Sequence, residues 1–186
     1  MSEIKTIIIK LEGSAKDQAL APITEKSVLF ADYAAGDIKT ETVEKMVPLA
    51  EEKLGELAAS LENNAVVLNA DSESLPSVAA AVAEIMNRHT LVVIAAGDGL
   101  IFSGYGITRD YKESPRAAKA EDVIPTICYL TGLHVPADST GAVLYQALKD
   151  VNAPYSQVEK LQASVEALEY TIERSQRQAW DKHDCA

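Results

Sequence analysis

The 186-residue chain carries 28 acidic and 17 basic side chains, so its formal net charge at pH 7 is −11. A protein this acidic repels phosphate backbones and anionic lipid headgroups, and we therefore expect neither nucleic acid nor a membrane as a partner. Hydrophobic residues make up 47% of the sequence, enough for one core at this length, whereas aromatic residues make up only 5% and leave that core to aliphatic side chains.

The cysteines and the N-terminal segment bear on cellular location. Cys128 lies in an apolar run and is expected to be a buried thiol, and Cys185 is next to the last residue, so the sequence contains no disulfide framework. The first residues show no basic stretch followed by a long apolar one, and no apolar run is long enough to span a bilayer. We therefore expect a cytoplasmic protein.

Short apolar segments alternate with segments of helical periodicity. Four segments rich in Val, Ile, Leu and Ala predict buried strands, at residues 6–11, 27–33, 65–69 and 91–95. Apolar spacing predicts helices at residues 43–61, 74–87, 120–130 and 141–151. Residues 101–119 lack clear periodicity and are expected to form an excursion or lid. The alternation predicts an α/β fold, with a mostly parallel sheet and helices on both faces.

The tail of the chain has a different pattern. Residues 155–180 are polar and favour a helix, in which apolar residues recur in steps of three and four, at Val158, Leu161, Val165, Leu168 and Ile172. We predict a domain at residues 1–152 and a helical extension at residues 153–186. Two heptads are marginal alone, so this helix is expected either to pack on its own domain or to form a homo-oligomer contact.

Four segments carry a resemblance to a known family. Three of them are predicted strands, at residues 5–13, 65–71 and 90–99, that end in Glu-Gly, Ala-Asp and Gly-Asp-Gly. The fourth, at residues 120–141, has the pattern D-V-x-P-T-I-x-x-L-x-G-L-x-V-P…G and is the most specific. In this order the segments resemble the alkaline phosphatase superfamily, which includes metal-dependent phosphoglycerate mutases. The chain looks like a shortened member, and the resemblance implies an alkaline-phosphatase-like fold.

The resemblance also implies a centre of two divalent metals beside a Ser or Thr nucleophile. The acids at the matching strand ends are Glu12, Asp71 and Asp98, which we predict as metal ligands, and carboxylates without histidine suit Mg²⁺ or Mn²⁺. The competing interpretation is that they are ordinary loop and capping acids. No segment matches the family's nucleophile motif, so no catalytic residue is assigned.

The histidines that such a centre needs are missing from their places. Leu75 stands four residues after Asp71, where the family has a histidine, and Asp98 stands where another is expected. The three histidines of the sequence are His89, His134 and His183, and none falls at a motif position. The favoured hypothesis is therefore a degenerate, non-catalytic domain that binds a small anionic ligand or a protein partner, without a cofactor.

Two alternatives remain open from the sequence. The first is a minimal phosphoesterase or phosphomutase-like enzyme with Mg²⁺ or Mn²⁺ held by the three acids. The second is an oligomeric assembly protein that works through the C-terminal helix.

Overall fold

The structure is a computed structural model that describes residues 4–43, 45–62, 65–108, 110–150 and 153–180. The chain divides into two units, Met1–Lys149 and Asp150–Ala186. The strands are β1 (Lys5–Glu12), β2 (Ser27–Phe30), β3 (Tyr33–Ala34), β4 (Met46–Leu49), β5 (Ala65–Asp71), β6 (Thr90–Ala96), β7 (Gly99–Gly104), β8 (Lys112–Ser114) and β9 (Ala118–Lys119). The helices are α1 (Ala21–Thr24), α2 (Leu57–Ser60), α3 (Leu75–Ile85), α4 (Val123–Thr131) and α5 (Ala153–Trp180).

The first unit is built on a seven-stranded mixed sheet of order β4-β5-β1-β6-β7-β2-β8, and β3 pairs with β9 in a separate two-stranded sheet. Strand β1 is central and pairs in parallel with β5 on one side and with β6 on the other. Strand β7 runs antiparallel to both of its neighbours, β6 and β2. The predicted α/β class and the mostly parallel sheet are confirmed.

Alternate residues of β1 enter two different cores, because successive side chains of a strand point to opposite faces. Ile7 and Ile9 pack with residues of α1, α2 and α3 in one hydrophobic cluster. Ile8 packs in a second cluster with residues of α4. Both faces of the sheet are therefore covered, which explains why β1 contains an uninterrupted run of isoleucines rather than an alternating pattern.

The predicted helix at residues 43–61 is wrong. This segment contains strand β4, a 3₁₀ turn at Glu51–Glu56 and the short helix α2. Pro48 lies inside β4, and proline cannot donate a hydrogen bond to a ladder. Because β4 is the edge strand of the sheet, next to β5 alone, the missing donor is tolerated there.

Three other predicted elements also differ from the structure. The predicted strand at residues 27–33 is two strands, β2 and β3. The predicted excursion at residues 101–119 contains most of β7, which pairs along its length with β6, as well as β8 and β9. The predicted helix at residues 141–151 is limited to a 3₁₀ turn at Tyr145–Ala147. Local sequence pattern did not identify these elements, because they are held by pairing with residues distant in the sequence.

The second unit contains helix α5, in agreement with the helical tail expected from the sequence. Five apolar side chains of this helix are each more than half exposed: Val158, Leu161, Val165, Leu168 and Ile172. Their pairing as a heptad repeat stays a prediction. Among the helices that the structure describes, none is both long and apolar enough to cross a membrane.

Candidate ligand pocket at the carboxyl edge of the sheet

A cavity of about 510 Å³ lies at the carboxyl ends of β1, β5 and β6, and we call it the carboxyl-edge pocket. The loop that follows β3 closes one of its sides, and the turn after β4 contributes Glu51. This position is where parallel α/β sheets bind ligands, because the strand ends and the loops between them converge there. The polar side chains that line the pocket are Lys10, Glu12, Tyr33, Asp37, Glu51, Asn69, Asp71 and Ser74.

Lys10 provides the only ammonium group among the described residues that line the pocket. Its Nζ donates a hydrogen bond to the carbonyl oxygen of Ile38 at 3.1 Å and lies 3.5 Å from Oδ1 of Asp37. The Lys10 side chain is one-third exposed and that of Asp37 is mostly exposed, so the ion pair itself is weak. These contacts nevertheless direct the ammonium toward the loop after β3, where its charge is partly neutralised.

Glu12 and Asp71 are neighbours at the ends of two paired strands. They are register partners in the β1–β5 ladder and both line the pocket. Oδ1 of Asp71 accepts hydrogen bonds from the backbone N–H groups of Glu73 (3.0 Å) and Ser74 (2.9 Å). The hydrogen bonds from Ser74 and Glu73 lower the pKa of Asp71. Asp71 therefore fixes the turn that leads from β5 into α3, as a capping acid does.

Asp98 is held in a different set of contacts. Its carboxylate accepts hydrogen bonds from Ser14 Oγ at 2.6 Å and from the backbone N–H of Ala15 at 2.7 Å. The hydrogen bond from Ser14, followed by that from Ala15, lowers the pKa of Asp98. Asp98 thus ties the turn between β6 and β7 to the loop after β1, and it is not among the residues that line the carboxyl-edge pocket.

The structure therefore brings together two of the three predicted metal ligands, Glu12 and Asp71, and places Asp98 against Ser14. Among the described residues, no group of three or more His, Cys, Asp or Glu side chains is arranged to hold a metal ion. The donor set does not fit the two-metal centre that the resemblance implies. A metal site at these acids stays a prediction, and we derive no chemical step through it.

The histidines do not extend this donor set. The carbonyl oxygen of His89 accepts a hydrogen bond from the backbone N–H of Lys5, at the opposite end of β1 from the pocket. His134 is exposed in the loop after α4, and His183 lies outside the described residues. Of the two described histidines, neither lines the pocket.

The most specific sequence motif, at residues 120–141, has a structural role in the fold. Asp122 accepts hydrogen bonds from the backbone N–H groups of Lys119 (2.9 Å) and Ala142 (2.8 Å), so it joins the start of α4 to a segment 20 residues further along the chain. Thr126 Oγ1 donates to the carbonyl oxygen of Asp122 and accepts from the backbone N–H of Leu144. The Asp and Thr of the motif hold the loop after α4 against that helix.

The two glycines of this motif also have structural reasons. Gly132 ends α4 in the left-handed conformation (φ 73°) that glycine adopts most readily at a helix C-terminus. A Cβ on Gly141 would lie 2.0 Å from the carbonyl oxygen of Glu121, so the two backbones approach too closely for any side chain. The glycines of the motif therefore have a structural role, in ending a helix and in allowing two backbone segments to approach closely.

Sequence reasoning missed several of the pocket residues. Lys10 follows three isoleucines in a buried strand, and a charged residue there was a signal that this strand end faces a polar space. Glu51 was hidden by its assignment to a helix, although Pro48 argued against that helix. Asp37 and Asn69 lie in strand-end segments that the parallel-sheet rule does select.

Comparisons with known proteins add no relative to this picture. No family model matches the chain, and neither a curated protein nor a solved structure matches it.

Proposed function

We propose that the first unit is a non-catalytic relative of the alkaline phosphatase superfamily that binds a small ligand in the carboxyl-edge pocket. Two facts together carry this proposal. The cavity at the strand ends is large enough for a small ligand, but two of the predicted metal-binding acids are engaged in hydrogen bonds to loops. Asp71 accepts two backbone hydrogen bonds within its own turn. Asp98 accepts one from Ser14 Oγ and one from the backbone N–H of Ala15, so both carboxylates hold loops in place. Ser14, the nearest hydroxyl after β1, donates to Asp98 and is not a pocket residue.

The charges around the pocket suggest which ligands it accepts. Four carboxylates and one ammonium line it, a net charge of −3, and the ammonium of Lys10 already faces Asp37. Burial raises the pKa of the Tyr33 phenol, which therefore stays neutral and adds a hydrogen-bond donor. These groups favour a ligand with a positively charged or hydroxyl-rich group. They disfavour the anionic ligand that the sequence left open, since an anion would meet like charge.

Calorimetric titration of the full chain with four probes tests this proposal: spermidine, inorganic phosphate, Mg²⁺ and Mn²⁺. We expect spermidine to bind more tightly than phosphate. Glu12→Gln, which removes one pocket charge, should weaken spermidine binding about fivefold, or about 1 kcal/mol. Glu25→Gln is the matched control, because it removes the same charge from an exposed site outside this pocket.

Three results would contradict the proposal. If phosphate bound more tightly than spermidine, the inferred preference for positive charge would be wrong. If Glu12→Gln and Glu25→Gln weakened spermidine binding equally, the ligand would not bind in this pocket. Hydrolysis of 4-nitrophenyl phosphate with Mg²⁺ or Mn²⁺ that is abolished by Glu12→Gln would favour the minimal enzyme instead.

A second candidate function is self-association through α5. It is supported by the row of apolar side chains that the helix exposes between residues 158 and 172. An apolar row along one face of a helix is usually covered, so its exposure here favours a partner helix. Sedimentation of the full chain over a range of concentrations tests this idea, and a chain that stays monomeric at all of them would refute it.

A further inference from the structure

The five apolar side chains of α5 form a heptad stripe, defined by Val158, Leu161, Val165, Leu168 and Ile172. Each is between 52% and 66% exposed, although apolar residues of this size are usually buried. The spacing of 3, 4, 3 and 4 residues places the first, third and fifth at heptad position a, and the two leucines at position d. The stripe is therefore continuous along more than two heptads of one helix face.

The identity of the residues at these positions indicates what covers the stripe. Position a is occupied by Val, Val and Ile, which are β-branched, and position d is occupied by Leu twice. This combination favours two strands in parallel over three or four. We infer that two copies of this chain form a parallel, in-register, two-stranded coiled coil through α5. The inference rests on the self-association proposed above and adds its number, direction and register.

The flanking charges favour the parallel direction. In a parallel pair, the g position of one helix faces the e position five residues later on the other, so Ser164 faces Glu169 of the second copy without repulsion. In the antiparallel register that overlaps the same apolar residues, e positions face each other and Glu169 meets its own copy. Two carboxylates facing each other across a helix pair repel, which makes that arrangement the less stable one.

The two directions differ in how much of the stripe they cover. A parallel, in-register pair covers all five residues on both copies, with each residue against its own equivalent. The best antiparallel overlap instead places Val158 against Ser175, a polar residue at the next d position. The parallel register therefore removes the most apolar surface from water.

Tyr170 provides a built-in control because it lies on the same helix but outside the stripe. It occupies heptad position f, opposite the a and d positions, and it is 68% exposed. Leu168→Glu should raise the dimer dissociation constant about 100-fold or more, because both copies lose a buried leucine. Tyr170→Glu introduces the same charge two residues away and should change it less than about threefold.

Oxidative cross-linking of the full chain then tests direction and register. Ile172→Cys is made in a Cys185→Ser background, so that the only other thiol is the buried Cys128. A parallel, in-register pair brings the two new thiols together at position a, and we expect a disulfide-linked dimer under mild oxidation. The same substitution at Tyr170 should give none.

The possible outcomes separate this inference from the self-association it rests on. Cross-linking only in a mixture of Leu161→Cys and Ile172→Cys chains would show an antiparallel pair, which overturns the inference and leaves self-association standing. A trimer or tetramer by sedimentation also overturns it. A monomer at all concentrations contradicts both proposals.

Discussion

Replacing Asp122 by alanine should destabilise the first unit without altering its pocket. The carboxylate accepts two hydrogen bonds from backbone N–H groups, of Lys119 at 2.9 Å and of Ala142 at 2.8 Å. Hydrogen bonds to a charged group contribute about 1.5–3 kcal/mol each, so their joint loss would cost about 3–6 kcal/mol in a dry site. Asp122 is partly exposed, and water replaces part of this loss. We therefore expect a decrease of about 2–4 kcal/mol in the free energy of unfolding.

Urea unfolding followed by circular dichroism measures this decrease, with similar denaturant slopes required for a valid comparison. Asp122→Asn retains one acceptor oxygen and one hydrogen bond, and it should lose about half as much stability. Glu121→Ala is the control, because its exposed side chain is adjacent in sequence and it should stay within about 0.5 kcal/mol of the wild type.

The structural explanation of the motif is wrong if Asp122→Ala loses less than about 1 kcal/mol, the ordinary cost of a single neutral hydrogen bond. It is also wrong if the variant keeps its stability but loses ligand binding in the carboxyl-edge pocket. The first result would show that these two hydrogen bonds contribute little to stability, and the second would show that the aspartate acts through a ligand.

Three further predictions follow from single contacts. Gly141→Ala should cost about 3 kcal/mol or more, since its Cβ would lie 2.0 Å from a carbonyl oxygen, whereas Gly97→Ala meets nothing within 4 Å and should keep its melting temperature. The pKa of Asp98 is lowered from 3.8, so this group contributes stability above about pH 3.8 that is lost as the pH falls through its lowered pKa. Asp98→Asn should therefore make the acid-induced fall in melting temperature shallower, and an unchanged acid profile would contradict this. Burial raises the pKa of the Cys128 thiol. In a Cys185→Ser background we therefore expect no reaction with a thiol reagent at pH 7.5 until denaturant is added. Rapid labelling of the folded chain would instead show that this thiol is accessible.

Elements that bury a continuous apolar run were predictable from the sequence. Strands β1, β5 and β6 are interior strands of the sheet, and each contains a run of at least three consecutive apolar residues that are buried. Helix α3 was predictable because Val78 and Val82 recur on one buried face and Pro76 suits its first turn.

Elements whose structure depends on distant partners were not predictable. The apolar residues of 43–61 have helical spacing, but pairing with β5 decides the conformation of β4. The same holds for β7, in which only Leu100–Phe102 form an apolar run between the two end glycines, and which pairs with the distant strand β2 as well as with β6. Local pattern carries no information about such pairings.

The location of the pocket was predictable and its charges were not. The rule for parallel sheets selects the strand ends at Glu12, Asp71 and Gly97. The acidic character arises because Asp37 and Glu51 arrive from separate loops, and only the folded chain places them near Lys10. The prediction that Asp98 lies beside the other acids was wrong. Asp98 lies two residues beyond the end of β6, where it contacts the loop after β1 instead of the pocket.

The tight reversal between β6 and β7 limits how this fold can change its ligand. The chain turns back within two residues, so the parallel run of strands stops there, and Gly97 of this turn lines the pocket. Gly99 is locked, since a Cβ would lie 2.9 Å from Ala15, but the space around Gly97 is open. Extra residues inserted in this turn just before Gly99 would add chain beside the pocket at small entropic cost. Loop grafting at this one turn is therefore the simplest route to a domain with a new binding preference.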